Sequence, residues 1–187
     1  LSDNSSLKDS NVTFRILQQF AVQAVQPFNY VSGLGQVAAL RVADKAYGGF
    51  SYNAGENSFD RVSELIYNMQ YIGIDGQNVT AGLQYALDYY DLPSQGYRTG
   101  SDVRHLLVYV TQTNPTDADP SELLRTIKRS GLYEVVVVAL DMQPSDKLTN
   151  MVNPRCFYLA QDFHDLMNYG VNFVQGQSCL RWNFCNY

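Results

Sequence analysis

The chain is poor in the residues that build metal and catalytic centres, with three cysteines and two histidines in 187 residues and no C-x-x-C pair. A zinc site of the usual paired spacing is therefore not indicated. Long apolar runs are missing too. The longest, residues 135–140, is strand-sized and far short of the roughly 18 residues that span a bilayer, so membrane insertion is not expected. Lys and Arg number 13 against 18 Asp and Glu, a formal net charge of -5. The densest basic cluster, Arg125, Lys128 and Arg129, closes one predicted helix, where cations suit the negative end of the dipole. With no basic stripe, nucleic acid is not an expected partner. Leu1 opens a polar stretch that lacks the basic and apolar regions of a secretory leader.

Catalytic signatures are equally scarce. No G-x-S-x-G nucleophile elbow occurs. Gly33-Leu34-Gly35 is a fragment of a dinucleotide fingerprint, but it precedes a predicted strand instead of following one. His105 opens a strand, and His164 lies near a helix start beside Asp162 and Asp165. Acid–base work at His164 and Asp162 would make a hydrolase, the remote alternative. A solvated helix terminus accounts for the same residues more simply. The expectation is a protein that is not an enzyme.

What the sequence does contain suits one globular domain over residues 1–187, with a C-terminal tail of about 175–187. Hydrophobic residues make up 45% and charged residues 17%, enough apolar surface to offset the entropy of ordering. Asn4-Ser5-Ser6, Asn11-Val12-Thr13 and Asn78-Val79-Thr80 are glycosylation sequons, making Asn4, Asn11 and Asn78 candidate sites. Cys156, Cys179 and Cys185 all fall in the last third, and disulfide chemistry is their expected use. Their number is odd, so one thiol is free or pairs outside this segment, and the connectivity stays open. These features point to a secreted, extracellular glycoprotein. Tyr47, Tyr52, Tyr89, Tyr90 and Tyr97, from fourteen tyrosines, would suit protein or glycan contacts, although half-buried strand and helix positions account for most of them.

The order of periodicities carries the fold. Phe14, Leu17, Ala21, Ala24 and Val25 form a helix face. Residues 37–43 read as a buried strand, and residues 47–52 follow so closely that the pair must be an antiparallel hairpin. Residues 59–71 carry a helical stripe with Ser58 as N-cap, and residues 80–90 return to helical spacing. Residues 106–110 form a strand, a helix bears Leu123, Leu124 and Ile127 behind a cap at Asp119 or Ser121, and residues 134–140 form the most apolar strand. A short helix near 146–151, a strand at 156–159 and a helix through Leu166, Tyr169 and Phe173 complete the order. The expected fold class is α/β: a three-layer, doubly wound, mostly parallel sheet with one antiparallel edge strand. In such sheets ligands bind beyond the carboxyl ends of the strands. Only Leu1 and Ser2 come before Asp3, so the expectation is either a fragment cut just inside its first strand or a strand truncated to a stub, with an exposed edge or a gap and lowered stability.

Several local features together resemble the von Willebrand factor type A domain family. Asp3-Asn4-Ser5-Ser6-Leu7 looks like its D-x-S-x-S signature, and residues 37–52 are similar to its second strand and short antiparallel third strand. Residues 76–87 resemble its turn and helix start, and residues 105–113 its fourth strand, which commonly ends in Thr-Asp-Gly. The resemblance implies loops at the top of the sheet that form a metal-ion-dependent adhesion site for Mg²⁺, built from hydroxyl and carboxylate oxygens around water ligands. Carried over by position, Asp3, Ser5 and Thr80 are kept. Leu7 stands where the second serine belongs, and Gln112 where the aspartate belongs, so the metal site is degenerate. Ser6, Gln77, Asn78 and Gln112 would lie in the apical ligand-binding loops. Without a metal, Asp3, Ser5 and Ser6 serve as a helix cap, and Thr80 as a helix N-terminal residue. The implied function is an adhesion or matrix-binding module with weak or no metal dependence and a protein or extracellular-matrix ligand, collagen-like for some members of the family. The alternative is a structural module within a larger secreted protein.

Overall fold

In the computed structural model, which describes residues 10–100, 102–117, 119–179 and 185, the most apolar run of the sequence is also the most buried. Strand β4 (Glu134–Leu140) has every residue at 3% exposure or less. Successive strand side chains point to opposite faces, so burial of all seven requires cover on both faces. Strands β3 (Leu106–Thr111) and β5 (Phe157–Ala160) flank β4, and both run parallel to it. Helix α4 (Ser121–Arg129) and the short α5 (Asp146–Thr149) make the two crossovers. The Asp119 carboxylate accepts the Ser121 N–H at 2.9 Å where α4 begins, and bonds from Ser121 hold that carboxyl below its ordinary range. Lys128 and Arg129 stand in the last turn, as the dipole favours.

The other half of the molecule is an antiparallel pair, β1 (Ala39–Val42) and β2 (Ala46–Phe50), with a bulge between Ala39 and Leu40. At the bulge a side chain enters the ladder. The Tyr90 hydroxyl accepts from Gly49 N–H at 3.1 Å and donates to the Ala39 carbonyl at 2.9 Å. Tyr90 is delivered by one π turn, Ala86–Tyr90, which extends helix α3 (Val79–Tyr85). Residue 49 must be glycine, because a Cβ there would collide with the Ala39 carbonyl and lie 2.9 Å from the Met69 sulfur.

The expected single sheet is divided in two. Among the described residues, the β1–β2 ladder shares no strand pairing with β3–β4–β5. All of β1 and all of β3 except Thr111 are only half-buried.

Side chains stitch the halves together where the backbone does not. Helix α1 (Ser10–Val25) packs against both α2 (Phe59–Asn68) and α7 (Val171–Cys179). Gln18, 3% exposed, donates through Nε2 to the carbonyls of Ile66 at 2.6 Å and Met69 at 2.8 Å. It thereby braces the end of α2, where the Ile66 carbonyl also accepts the Met69 N–H. At the base of the sheet, Tyr52 and Tyr133 share a hydroxyl–hydroxyl bond of 3.1 Å, and Tyr133 donates to Asp91. Beyond β5, the short helix α6 (Phe163–Asp165) runs through a π turn into α7. Of the three cysteines, Cys156 and Cys185 form a buried disulfide, while the Cys179 side chain lies outside the described residues. Among the described residues no helix is long and apolar enough to cross a membrane.

Candidate functional site

Three loops from separate parts of the chain meet at the carboxyl ends of the parallel strands. The first leads into α3. Its Asn78 backbone N–H donates to the Ala43 carbonyl at 2.7 Å, fixing the loop to the end of β1. The second follows β3 and starts with a tight turn, in which the Thr111 hydroxyl donates to the Thr113 carbonyl at 2.7 Å and accepts the Thr113 N–H at 3.0 Å. These two loops clasp each other. Gln77 N–H donates to Thr116 Oγ1 at 2.8 Å, Thr116 N–H returns to the Gln77 carbonyl at 3.1 Å, and the Tyr109 hydroxyl reaches Gln77 Oε1 at 3.0 Å. Burial raises the Tyr109 phenol to about 12, which keeps it a donor. The third loop follows β4. Asn114 Nδ2 donates to the Gln143 carbonyl at 3.0 Å, and Asn114 Oδ1 accepts Ser145 N–H at 2.7 Å.

At the centre of this junction stand Thr80 and Asp117. The Thr80 N–H donates to Asp117 Oδ2 at 2.8 Å, and Lys147 Nζ donates to the Asp117 carbonyl at 2.5 Å. Thr80 Oγ1 and Asp117 Oδ1 are both buried without a hydrogen-bond partner. Native proteins seldom leave such atoms unmatched, and an ion or water is a common reason for the exceptions. Among the described residues no group of three His, Cys, Asp or Glu is placed to hold a metal. A hard divalent cation has a different requirement: oxygens of any kind, a few from protein and the rest from water. A hydroxyl and a carboxylate oxygen, both without partners, fit it.

Thr80, Gln77 and Asn78 are thus brought together at the apex. Asp3, Ser5, Ser6 and Asn4 lie outside the described residues. Gln112 opens the loop after β3, but the residue of that loop that meets Thr80 is Asp117, five positions further on. The sequence reading missed Asp117, although an aspartate in the same loop was a visible signal. Asn78 caps α3, its Oδ1 accepting Ala81 N–H at 3.0 Å while Nδ2 donates to the Asp44 carbonyl at 3.2 Å. Asn11 is exposed in the first turn of α1.

The histidines are placed less suggestively. Asp162 accepts Asp165 N–H at 2.8 Å as the cap of α6, and Asp165 takes the Tyr158 hydroxyl at 2.6 Å, so both carboxylates are committed beside an exposed His164. His105 lies at the opposite end of the sheet, stacked on Tyr97 at 4.4 Å and edge-on to Tyr133 at 5.5 Å. It lines a cavity of about 70 Å³ with Tyr52, Tyr97, Arg98 and Tyr133. Burial lowers its pKa, partly opposed by a hydrogen bond with the Arg98 backbone.

A parallel sheet whose central strand is covered on both faces, with oxygen-bearing loops meeting at its carboxyl end, defines an open α/β domain. The sequence profile of the von Willebrand factor type A domain matches residues 1–169, and the chain belongs to that family. No curated protein sequence matches the chain. Among solved structures it is similar to proximal thread matrix protein 1 of the mussel byssus, with 15% identity and a TM-score of 0.81 over 95% of this chain and 46% of that one. A second structure of that protein, described as having a zinc-occupied MIDAS motif, gives 17% identity and a TM-score of 0.76 over 92% and 43% of the two chains. The manganese-loaded TRAP protein of Plasmodium vivax gives 11% identity and a TM-score of 0.67 over 91% and 69%. At these identities the likeness concerns the fold. The chain spans under half the length of the byssus protein.

Proposed function

We propose that this domain is an extracellular adhesion or matrix-binding module that takes a protein ligand on its apical loops and performs no catalysis. The observation that carries this reading is the junction of three loops around Thr80 and Asp117, where two buried oxygens have no partner. A cation held there would have open positions for a carboxylate of a protein ligand, as hard cations keep exchangeable waters. The metal-loaded byssus and Plasmodium relatives support it, the former by name a matrix protein. The paired Cys156 and Cys185 suit an oxidising compartment.

The test is interferometry of the intact chain against immobilised fibrillar collagen, fibronectin and laminin, in Mg²⁺ and in EDTA. Saturable binding to at least one, lost in Thr113→Arg, is expected, because Thr113 is exposed at the apex and its side chain makes none of the loop contacts above. Binding unchanged by that substitution, or none to any of the three, overturns the reading.

A further inference from the structure

We infer that the cavity at the base of the domain is a second binding site, which takes a carboxylate carried by an apolar segment of a partner protein. It stands at the opposite end of the sheet from the apical loops, and neither site depends on the other.

Both halves of the fold bound this cavity. Tyr52 follows β2, Tyr97, Arg98, Arg104 and His105 come ahead of β3, and Tyr133 precedes β4. The walls are held from behind. Tyr97 stacks on His105, the Tyr52 and Tyr133 hydroxyls share a bond, and Tyr133 donates to Asp91. Asn53 Nδ2 donates to the Ser94 carbonyl at 3.0 Å and pins the loop that carries Tyr97. Gly96, with φ of 87°, passes so close to Asn53 that a Cβ would collide with its amide. At about 70 Å³ the space takes a side-chain head. It falls well short of the roughly 300–1,000 Å³ of a pocket for a drug-sized molecule.

Charge selects the ligand. The chain has 18 Asp and Glu against 13 Lys and Arg, yet the cavity is lined by Arg98, Arg104 and His105 and by no carboxylate. Arg104 is paired with Glu134, whereas Arg98 forms no ion pair among the described residues. Its Nη1 and Nη2 each donate once, to the Gly33 and Leu34 carbonyls, which leaves three of the five guanidinium N–H groups. A half-buried guanidinium whose partners are neutral oxygens attracts an anion, and its planar fork matches a carboxylate. Burial lowers the His105 pKa, and the Arg98 charge adds to that effect.

The surroundings select the carrier. Val31 and Leu34 stand exposed on the turn that Arg98 holds, Leu92 is exposed next to Asp91, and Leu132 next to Tyr133. The turn is well fixed, with Gly33 N–H on the Tyr30 carbonyl at 2.8 Å and Gly35 N–H on the Asn29 carbonyl at 2.6 Å. Ordered apolar side chains left in water around a cationic cavity suit a protein segment. A sulfated glycan would gain nothing from them.

The test follows the imidazole Cε1–H resonances of the intact chain at pH 7.5. There are only two histidines, and the exposed His164 on α6 serves as internal reference. The probes are acetyl-Leu-Glu-Leu-amide, its Gln counterpart, acetate and sulfate. The Glu peptide is expected to shift His105 saturably and leave His164 unmoved. Acetate and the Gln peptide should each bind roughly tenfold more weakly, the one for want of apolar contacts and the other of charge. Sulfate should bind more weakly than acetate. Arg98→Gln should weaken the Glu peptide by about tenfold as well. Because Arg98 also fixes the turn at Gly33, that variant is read beside its melting curve, while the Glu-against-Gln comparison on the parent chain needs no variant. The inference fails if the Glu peptide leaves His105 unmoved or shifts both histidines alike, or if the Gln peptide binds equally well. Acetate matching the Glu peptide would remove the protein segment, and sulfate matching it would open the cavity to any anion. Either result overturns the assignment.

Discussion

The two halves of the sheet are built from different kinds of contact. The parallel half has β4 closed on both edges by ladders and on both faces by side chains, so its seven residues are shielded by backbone pairing and packing together. The antiparallel half has one two-stranded ladder, half-buried along β1, and draws its support from individual polar side chains. Tyr90 completes the ladder at the bulge, Gln18 closes the end of α2, and the loop of Gln77 clasps that of Thr116. Packing spreads stability over many small contacts, whereas a single hydroxyl between two backbone groups concentrates it. The apex lies where these halves meet. Thr80 and Asp117, which meet there, come one from each side of the division.

The largest expected difference is in core truncation. Leu140→Ala, at a site with 0% exposure, should cost about 3–5 kcal/mol, since both the transfer term and a cavity are lost in a place that cannot collapse. Leu40→Ala, in half-buried β1, should cost about 1 kcal/mol because much of that side chain already meets solvent. Urea unfolding of both variants checks this. Equal costs would mean that the two halves are one cooperative core.

A smaller effect is expected from Tyr90→Phe. The ring keeps its packing, but Gly49 N–H and the Ala39 carbonyl lose their shared partner, at about 1–3 kcal/mol. Amide exchange should quicken through β1 and β2 while β4 stays protected, because local opening need not pass through global unfolding. Uniform acceleration in both ladders would contradict the division.

The parallel half was legible in the sequence because its signals are local. Val135 to Val138 form an unbroken β-branched run, and Asp162 stands where the cap of α6 belongs. The hairpin followed from the short connection between β1 and β2. The stitching was not legible. That Tyr90 would join a ladder depends on a π turn that rotates it toward Ala39, and no spacing rule anticipates that turn. Asp117 was missed for a related reason. Positional comparison assigns roles along the chain, but the loop after β3 folds back through Thr116 and Asp117, so contact with Thr80 arises out of register.

The smallest expected effect concerns pH at the base, where His105 and Tyr133 of the parallel half meet Tyr52 and Asp91 of the other. Burial disfavours the charged imidazole, so the His105 pKa in the folded chain lies below its unfolded value of about 6.5. The unfolded chain then binds more protons between the two values, and stability falls as pH drops from about 6.5 through the folded pKa. Asp91 has the opposite sign: burial pushes its carboxyl up, favouring the folded chain at low pH and releasing that benefit as pH rises. Comparing the parent chain with His105→Phe, which keeps an aromatic ring against Tyr97 and cannot titrate, cancels the Asp91 contribution. Between pH 7.5 and 5.5 the parent should lose about 2 °C more in melting temperature than the variant, a small figure because the ring is half open to water. Identical slopes would mean that the imidazole ionises freely where it stands, and that the base joins the two halves through the Tyr52–Tyr133–Asp91 chain alone.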